Sequence, residues 1–413
     1  MDAVTLFVGV DWGSATHQVC VLGPEREVVE EMAVVHDGEA IGAMVERLLA
    51  LAEGDVERLV VGIESPWNAV VETLLERGVH VFCINPKQLD RFRDRHTVAG
   101  AKDDRRDAFV IADSLRTDAA AFREIKLGDP RIVELRELSR IYDDLGEEHG
   151  ALASRLYQQM QRIFPQILEL GSVHRDGWIL ALIERAPTPE QARSLSLAKI
   201  RTILRAHRVR KWTAEQVRDV LRKKPLTVAP GVTTAAHAHI RLLLPRLLLL
   251  DSQMHDTRRA IQGLLDDLEQ PSDDPNRKEH RDVTILRSLP GVGMIVAATM
   301  LSEARDALDS RDYHHLRALC GTAPVTRQSG KSCSVSMRKA CSRPLRNAVF
   351  FMAKTMVAHD PRAKALYAAH RARGHSRGHA LRVVADRGLA LLVAMLRSGT
   401  VYDPSKRLLA APT

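Results

Sequence analysis

The sequence predicts an α/β domain at the N-terminus followed by an all-α-like remainder. Three observations predict this. Short Val- and Ile-rich runs between residues 5 and 85 alternate with helical patterns. From Pro130 onward apolar residues recur at three- and four-residue steps. At 413 residues and 45% hydrophobic content the chain is globular and too long for one ordinary core, so two or three domains are expected.

Residues 5–11 and 17–22 read as strands joined by the turn Trp12-Gly13-Ser14-Ala15-Thr16. A third strand, Glu27 to Val35, follows Gly23-Pro24 and completes a meander. Gly38 to Leu51 sets Ile41, Met44, Val45, Leu48 and Leu49 at helical spacing. Next come strand Arg58–Glu64, helix Pro66–Arg77 with proline in its first turn, and strand Val79–Asn85. Pro86–Arg95 reads as helical, and another helix begins after Gly100. The order β-β-β-α-β-α-β-α is that of the ribonuclease H fold, in which the first strand, the fourth strand and a late helix converge.

Four carboxylates fall at those points. Asp11 ends the first strand and Glu64 the fourth, while Asp104 and Asp107 stand three residues apart on one face of the late helix. Like charges that close repel, and the helix N-terminus eases only part of that cost. A divalent cation between them makes the arrangement sensible. An all-oxygen cage of this kind suits Mg²⁺ or Mn²⁺. Asp103, four residues before Asp107, competes with Asp104 for the ligand role.

From Leu138 to Leu170 the seam Leu138, Ile141, Leu145, Leu152, Leu156, Met160, Ile163, Ile167 and Leu170 predicts a long helix with a coiled-coil seam, kinked at Pro165. Such a helix can pair protomers or pack within the monomer. Residues 172–235 read as an inserted helical module with possible nucleic-acid contact. Thr234 to Gln270 reads as a second long helix returning along the first, and Gln270 to Pro275 as a linker. Leu289-Pro290-Gly291-Val292-Gly293 between two helical stretches has the form of a helix-hairpin-helix turn, whose Gly291 and Gly293 let backbone N–H groups approach a phosphate. An ordinary interhelical turn fits the same residues.

Arg311 to Thr413 holds 19 Lys+Arg against 4 Asp+Glu, a net +15, so the total of +8 leaves −7 for the first 310 residues. A basic C-terminal third suits a polyanion held there. Ser329 lies between Arg327 and Lys331, where its hydroxyl can face a phosphodiester, although Ser-Gly is also a common turn pair. Lys339, Arg343 and Arg346 are spaced as a basic helical stripe, and Arg371 to Arg387 continues the character. The five cysteines form no CxxC pair and fit no zinc spacing; without a secretory signal they read as reduced thiols of a cytoplasmic protein. No apolar run approaches the ~20 residues of a membrane span.

Together these features resemble the DEDD-type insertion-sequence transposases, recombinases directed by a bridge RNA. Asp11, Glu64, the Lys102-x-Asp104-x-x-Asp107-Ala108 block, the seam, Leu-Pro-Gly-Val-Gly, and Pro324 followed by Ser329-Gly330-x carry the resemblance. It implies a RuvC-like catalytic domain over 1–125, a coiled-coil domain over 130–270, and a transposase domain over 283–413. It further implies Mg²⁺ on Asp11, Glu64, Asp104 and Asp107, a covalent serine–DNA link at Ser329, donor and target DNA and a noncoding bridge RNA as partners, and a dimer or tetramer in a bacterial or archaeal cell. Two departures stand out: Asp103 follows Lys102, where a small uncharged residue is usual, and the 172–235 module is longer than compact members need. Competing readings are a metal-dependent junction-resolving nuclease without a covalent intermediate, an actin-like ATPase or kinase suggested by Gly9-Val10-Asp11-Trp12-Gly13-Ser14, and a non-catalytic scaffold.

Overall fold

The computed structural model describes residues 4–64, 68–93, 103–125, 128–229, 231–270, 278–330 and 332–405. Lys102, Lys331 and the 271–277 linker lie outside them. The chain divides into two compact units, Met1–Asp129 and Pro130–Thr413.

The first unit is an α/β sheet domain. Strands β1 (Leu6–Asp11), β2 (Thr16–Leu22) and β3 (Val28–Val35) form the meander, followed by helix α1 (Gly38–Leu51). Then come β4 (Leu59–Ile63), α2 (Ala69–Glu76), β5 (His80–Cys83), α3 (Pro86–Arg93), α4 (Asp104–Asp118) and β6 (Arg123–Ile125). The sheet order is β3-β2-β1-β4-β5-β6, with β1, β4 and β5 parallel and β6 antiparallel to β5. Strand β6 was not expected. Three residues carry no readable periodicity, and its place is fixed from outside by pairing and by Glu124 against His80 Nδ1 at 2.6 Å.

Each sheet face has its own core. Val8, Val10, Val19, Val21, Val61 and Val81 bury against α1 and α2, whose Ile41, Met44, Leu48, Val71 and Leu74 complete that layer. On the other face Val60, Phe82 and Ile84 pack with Leu89, Val110, Ile111 and Leu115 of α3 and α4. Burial on both faces explains the continuous apolar runs.

The second unit is built on two long helices, α5 (Pro130–Ile163) and α10 (Val232–Glu269). They pair antiparallel inside the chain: His149 Nε2 meets Asp251 Oδ1 at 3.1 Å, and Arg246 meets Glu148 at 3.3 Å. At one end Leu152, Leu156, Met160 and Ile163 share a core with Ile240, Leu243, Leu247 and helices α6 (Gly177–Arg185), α7 (Pro189–Arg193), α8 (Leu197–Ala206) and α9 (Ala214–Leu221). At the other end Ile132 and Leu135 join Ile261, Leu265 and Leu268 in the core of the C-terminal lobe. The seam is thus occupied within the chain at both ends, although Ile141 stays 47% exposed. Pro165 ends α5 instead of kinking it. A 3-10 turn, Pro165–Glu169, takes over there, because proline brings no N–H to continue the ladder.

The C-terminal lobe holds α11 (Lys278–Ser288), α12 (Met294–Glu303), α13 (Arg305–Asp309) and α14 (Tyr313–Leu319). A two-stranded ribbon follows, β7 (Pro324–Ser329) with β8 (Ser332–Met337), then α15 (Arg343–His359), α16 (Pro361–Ala372) and α17 (Arg377–Ser398). The ribbon was not expected from the sequence, which was read there only as a Ser-Gly turn. In β8 Cys333, Val335 and Met337 alternate with three serines, a period-two signal that the sequence reading passed over, and the ribbon is exposed nearly throughout. No helix among the described residues is long and apolar enough to cross a membrane.

Candidate active site

The positions of the four acids follow from strand pairing and glycine. Val10 of β1 pairs with Ile63 of β4, so Asp11 and Glu64 come next at neighbouring strand ends. Side chains alternate along a strand, which puts Asp11 on the face of Gly9 and Glu64 on the face of Gly62. That face belongs to α4. A Cβ on Gly9 would collide with the Ala108 carbonyl oxygen and stand 2.6 Å from the Ala112 nitrogen; one on Gly62 would stand 2.8 Å from Ile111 and Leu115 carbons. The two glycines therefore let helix and sheet approach at backbone distance.

Helix α4 runs antiparallel to β1. Its last turns lie beside the β2–β3 turn, where Arg116 donates to Pro24 O at 3.3 Å and Arg26 meets Asp113 at 3.5 Å. Ala108 and Ala112 are level with Gly9, and the first turn with Asp104 and Asp107 extends toward the strand ends. Asp107 is 2% exposed, whereas Asp104 is open to solvent. Asp103 is the N-cap: its carboxylate accepts from Arg105 N at 3.2 Å, outside the helix. Asp11, Glu64 and Asp107 each have a polar or charged contact of their own. Among the described residues, no three of the four acids gather their oxygens within 4.8 Å of one another. The donor set is all carboxylate, the chemistry that hard divalent cations prefer.

Sequence reading missed His17. It is fully buried on β2, accepts Gly13 N–H at Nδ1 (3.2 Å), and so carries its proton on Nε2, which faces His36 Nδ1 at 3.0 Å. Burial, with His36 beside it, lowers its pKa and keeps the ring neutral. The pair pins the Trp12–Gly13 loop immediately after Asp11. A histidine in phase with inward Val19 and Val21 was the available signal.

In the second unit Ser329 closes the ribbon opposite Ser332, with Gly330 at φ +55° in the turn. It is exposed. Cross-strand partners share a face, so Arg327, Ser329, Ser332 and Ser334 lie together, and Thr326, Gln328, Cys333 and Val335 lie on the reverse. Both feet of the ribbon are anchored. Asp386 of α17 accepts from Thr322 Oγ1 (2.8 Å), Arg317 Nη2 (2.7 Å) and Tyr313 OH (3.0 Å). Burial and that carboxylate push the Tyr313 hydroxyl up to about 12. Arg346 donates to the carbonyls of Arg338 and Lys339 at 3.1 and 3.0 Å.

Arg346 therefore supports the ribbon, and Arg343 pairs with Glu147. The expected helical stripe is not one, because Lys339 precedes the helix: Ser342 is the N-cap and Pro344 sits in the first turn. Gly291 has φ +90° and lies 2.5 Å from Met352 O if given a Cβ, a packing reason for glycine; Gly293 has open space around it. The 172–235 module, with Tyr157 of α5, lines an open cavity of 770 Å³ through Trp178, Trp212, Arg175, Arg210 and Lys211, among other residues. Leu170 O holds the Trp212 indole N–H at 2.9 Å, and Lys211 lies over its ring at 5.5 Å.

Residues 8–165 match the DEDD family model of the IS110 type, described as "Transposase", and residues 283–368 match the model described as "Transposase IS116/IS110/IS902 family". The chain belongs to the DEDD-type IS110 transposase family. All twelve site residues expected from sequence fall inside the two matched spans. The chain is similar to a putative transposase of Sinorhizobium fredii, 44% identical over 50% of this chain and 58% of that protein. It is similar over nearly its whole length to the mini-circle putative transposase for IS117 of Streptomyces coelicolor, at 29% identity over 98% of this chain and 97% of the relative. An uncharacterized 42 kDa protein of insertion element IS900 of Mycobacterium paratuberculosis is 25% identical over 99% of this chain and the whole relative. IS110-family members are enzymes of DNA recombination.

Proposed function

We propose that this transposase cuts and joins DNA through a covalent link to Ser329, assisted by an RuvC-like acidic site. The observation that carries the reading is the convergence of elements in the first unit: neighbouring strand ends bearing Asp11 and Glu64, facing the first turn of α4 with Asp104 and Asp107. The 3-2-1-4-5 strand order supports a ribonuclease H-like identity. Mg²⁺ or Mn²⁺ held by these four residues would stabilise charge on reacting phosphate oxygens. Asp103, engaged as the helix cap, leaves Asp104 as the better ligand.

At the ribbon tip Ser329 is exposed, as attack on a phosphodiester requires. Its Oγ attacks phosphorus, the P–O3′ bond breaks, and the released strand leaves with a 3′-hydroxyl after taking up a proton. Arg327, on the same ribbon face, would hold the phosphate. The partners are donor and target DNA and a structured guide RNA, read by backbone and shape. The basic, aromatic cavity of the 172–235 module is suited to single-stranded nucleic acid. Leu242 and Leu249 of α10, one heptad apart and 70% and 58% exposed, offer a face for a second copy.

The deciding experiment is a denaturing gel of the protein with labelled donor DNA. Ser329→Ala should abolish the protein–DNA adduct while nucleic-acid binding survives. A persisting adduct refutes the serine assignment, and cleavage without any adduct in the wild type points to a hydrolytic nuclease.

A further inference from the structure

Away from both proposed sites, three imidazoles meet at the junction of α16 and α17. His370 lies in the last turn of α16, His375 in the connector, and His379 in the first turn of α17. The junction is tightly built. Gly374 takes φ +83°, His375 N–H donates to His370 O at 3.2 Å, and Arg371 Nη1 donates to His375 O at 2.7 Å. Ser376 caps α17 by accepting His379 N–H at 3.2 Å. The connector therefore sets the three rings side by side. One ring nitrogen from each lies within 4.8 Å of the other two, the single such grouping of three ligand-type side chains among the described residues.

We propose that His370, His375 and His379 form a binding site for an imidazole-preferring divalent ion of the Zn²⁺ class, which ties α16 to α17. His370 Nδ1 is buried and has no hydrogen-bond partner, a cost that a metal bond removes. The His375 and His379 rings stack at 4.3 Å and 21°, an arrangement unsuited to two cations. The grouping contains no Asp, Glu or Cys, so its donors are nitrogen only, which disfavours Mg²⁺ and selects zinc-like ions. Bonds of about 2.0–2.1 Å place tetrahedral ligands about 3.4 Å apart, so the three rings draw together on binding. Three protein ligands leave a fourth position to water.

The consequence lies at the ribbon. Arg382, one turn along α17, reaches Met337 Sδ at 3.1 Å, and Asp386 on the same helix anchors the ribbon's other foot. A metal at the first turn of α17 fixes the helix on which both contacts stand.

The test uses the full chain, stripped with chelator and kept in excess Mg²⁺ so that carboxylate sites are filled. Zn²⁺ titrated by calorimetry should bind at one strong site per chain, and Co²⁺ should give the visible absorption of four-coordinate cobalt. His375→Ala, at an exposed position, should weaken binding by about a hundredfold or more and erase the cobalt spectrum. His379→Ala should do the same, with circular dichroism showing that each variant is folded. Full-strength Zn²⁺ binding by the His375→Ala/His379→Ala double variant overturns the proposal. So does a wild type that takes up no Zn²⁺, including one that instead binds inorganic phosphate below pH 6 through protonated rings.

Discussion

Gly9→Ala is the sharpest probe of how the acidic site is held. The new Cβ would stand 2.6 Å from the Ala112 nitrogen and closer still to the Ala108 carbonyl oxygen. Ordinary van der Waals contact begins near 3.4 Å, so α4 or β1 must yield by at least about 0.8 Å, and neither neighbouring atom is a flexible side-chain end. Overpacking of this kind costs about 1–3 kcal/mol. With the acidic site acting as proposed, the larger effect is functional: α4 moves outward carrying Asp104 and Asp107, and a displacement near 1 Å at a reacting centre costs about a hundredfold in rate. Gly42→Ala is the control. Gly42 sits inside α1 with nothing within 4 Å, so there the added methyl should stabilise by about 0.5–1 kcal/mol. Urea unfolding followed by peptide-resolved hydrogen exchange over β1 and α4, with strand transfer measured in parallel, separates the two. Equal midpoints and equal activity for Gly9→Ala and wild type would refute the close-packing argument.

Three further outcomes are expected. Asp386→Ala leaves Arg317, Thr322 and Tyr313 without their acceptor and should cost about 2 kcal/mol, a figure reduced for partial exposure; protection against exchange in the ribbon should fall with it, whereas an unchanged ribbon would assign its order elsewhere. His80 is held protonated by Glu124 first and also by Glu57, which raises its pKa above 6.5. Its contribution to folding is therefore complete below pH 6.5 and fades as pH rises through the higher folded value. Protection factors at β6, taken relative to intrinsic exchange at each pH, should fall over that window, and His80→Gln should abolish that fall. Arg210→Ala with Lys211→Ala should weaken single-stranded RNA binding and flatten its salt dependence, measured by fluorescence anisotropy; an unaltered salt slope would remove the cavity from the interface.

The parts legible in the sequence were those with a local cause. The apolar runs of β1, β2 and β4, the seam of α5, and Asp11, Glu64, Asp104 and Asp107 at element ends all follow from spacing alone. The resemblance to DEDD transposases rested on the same local blocks. Less legible was whatever depends on contacts distant in sequence. Lys339, Arg343 and Arg346 have helical spacing, yet Ser342 and Pro344 start the helix after Lys339, and Arg346 turns back to carbonyls at the ribbon's foot. Pro165 was read as a kink because the seam continues past it; the missing N–H made it a terminus.

By itself the sequence determined the alternation of strands and helices, the acidic N-terminal and basic C-terminal charge, and the positions of chemically capable side chains along the chain, since each is set by neighbours within a few residues. The tertiary structure decided which faces those side chains share. It placed Asp11 and Glu64 toward α4 through Gly9 and Gly62, set the α5 seam against α10 within one chain, and lifted Ser329 onto an exposed ribbon. Burial and long-range pairing make those choices, and neither has a period that a one-dimensional pattern can display.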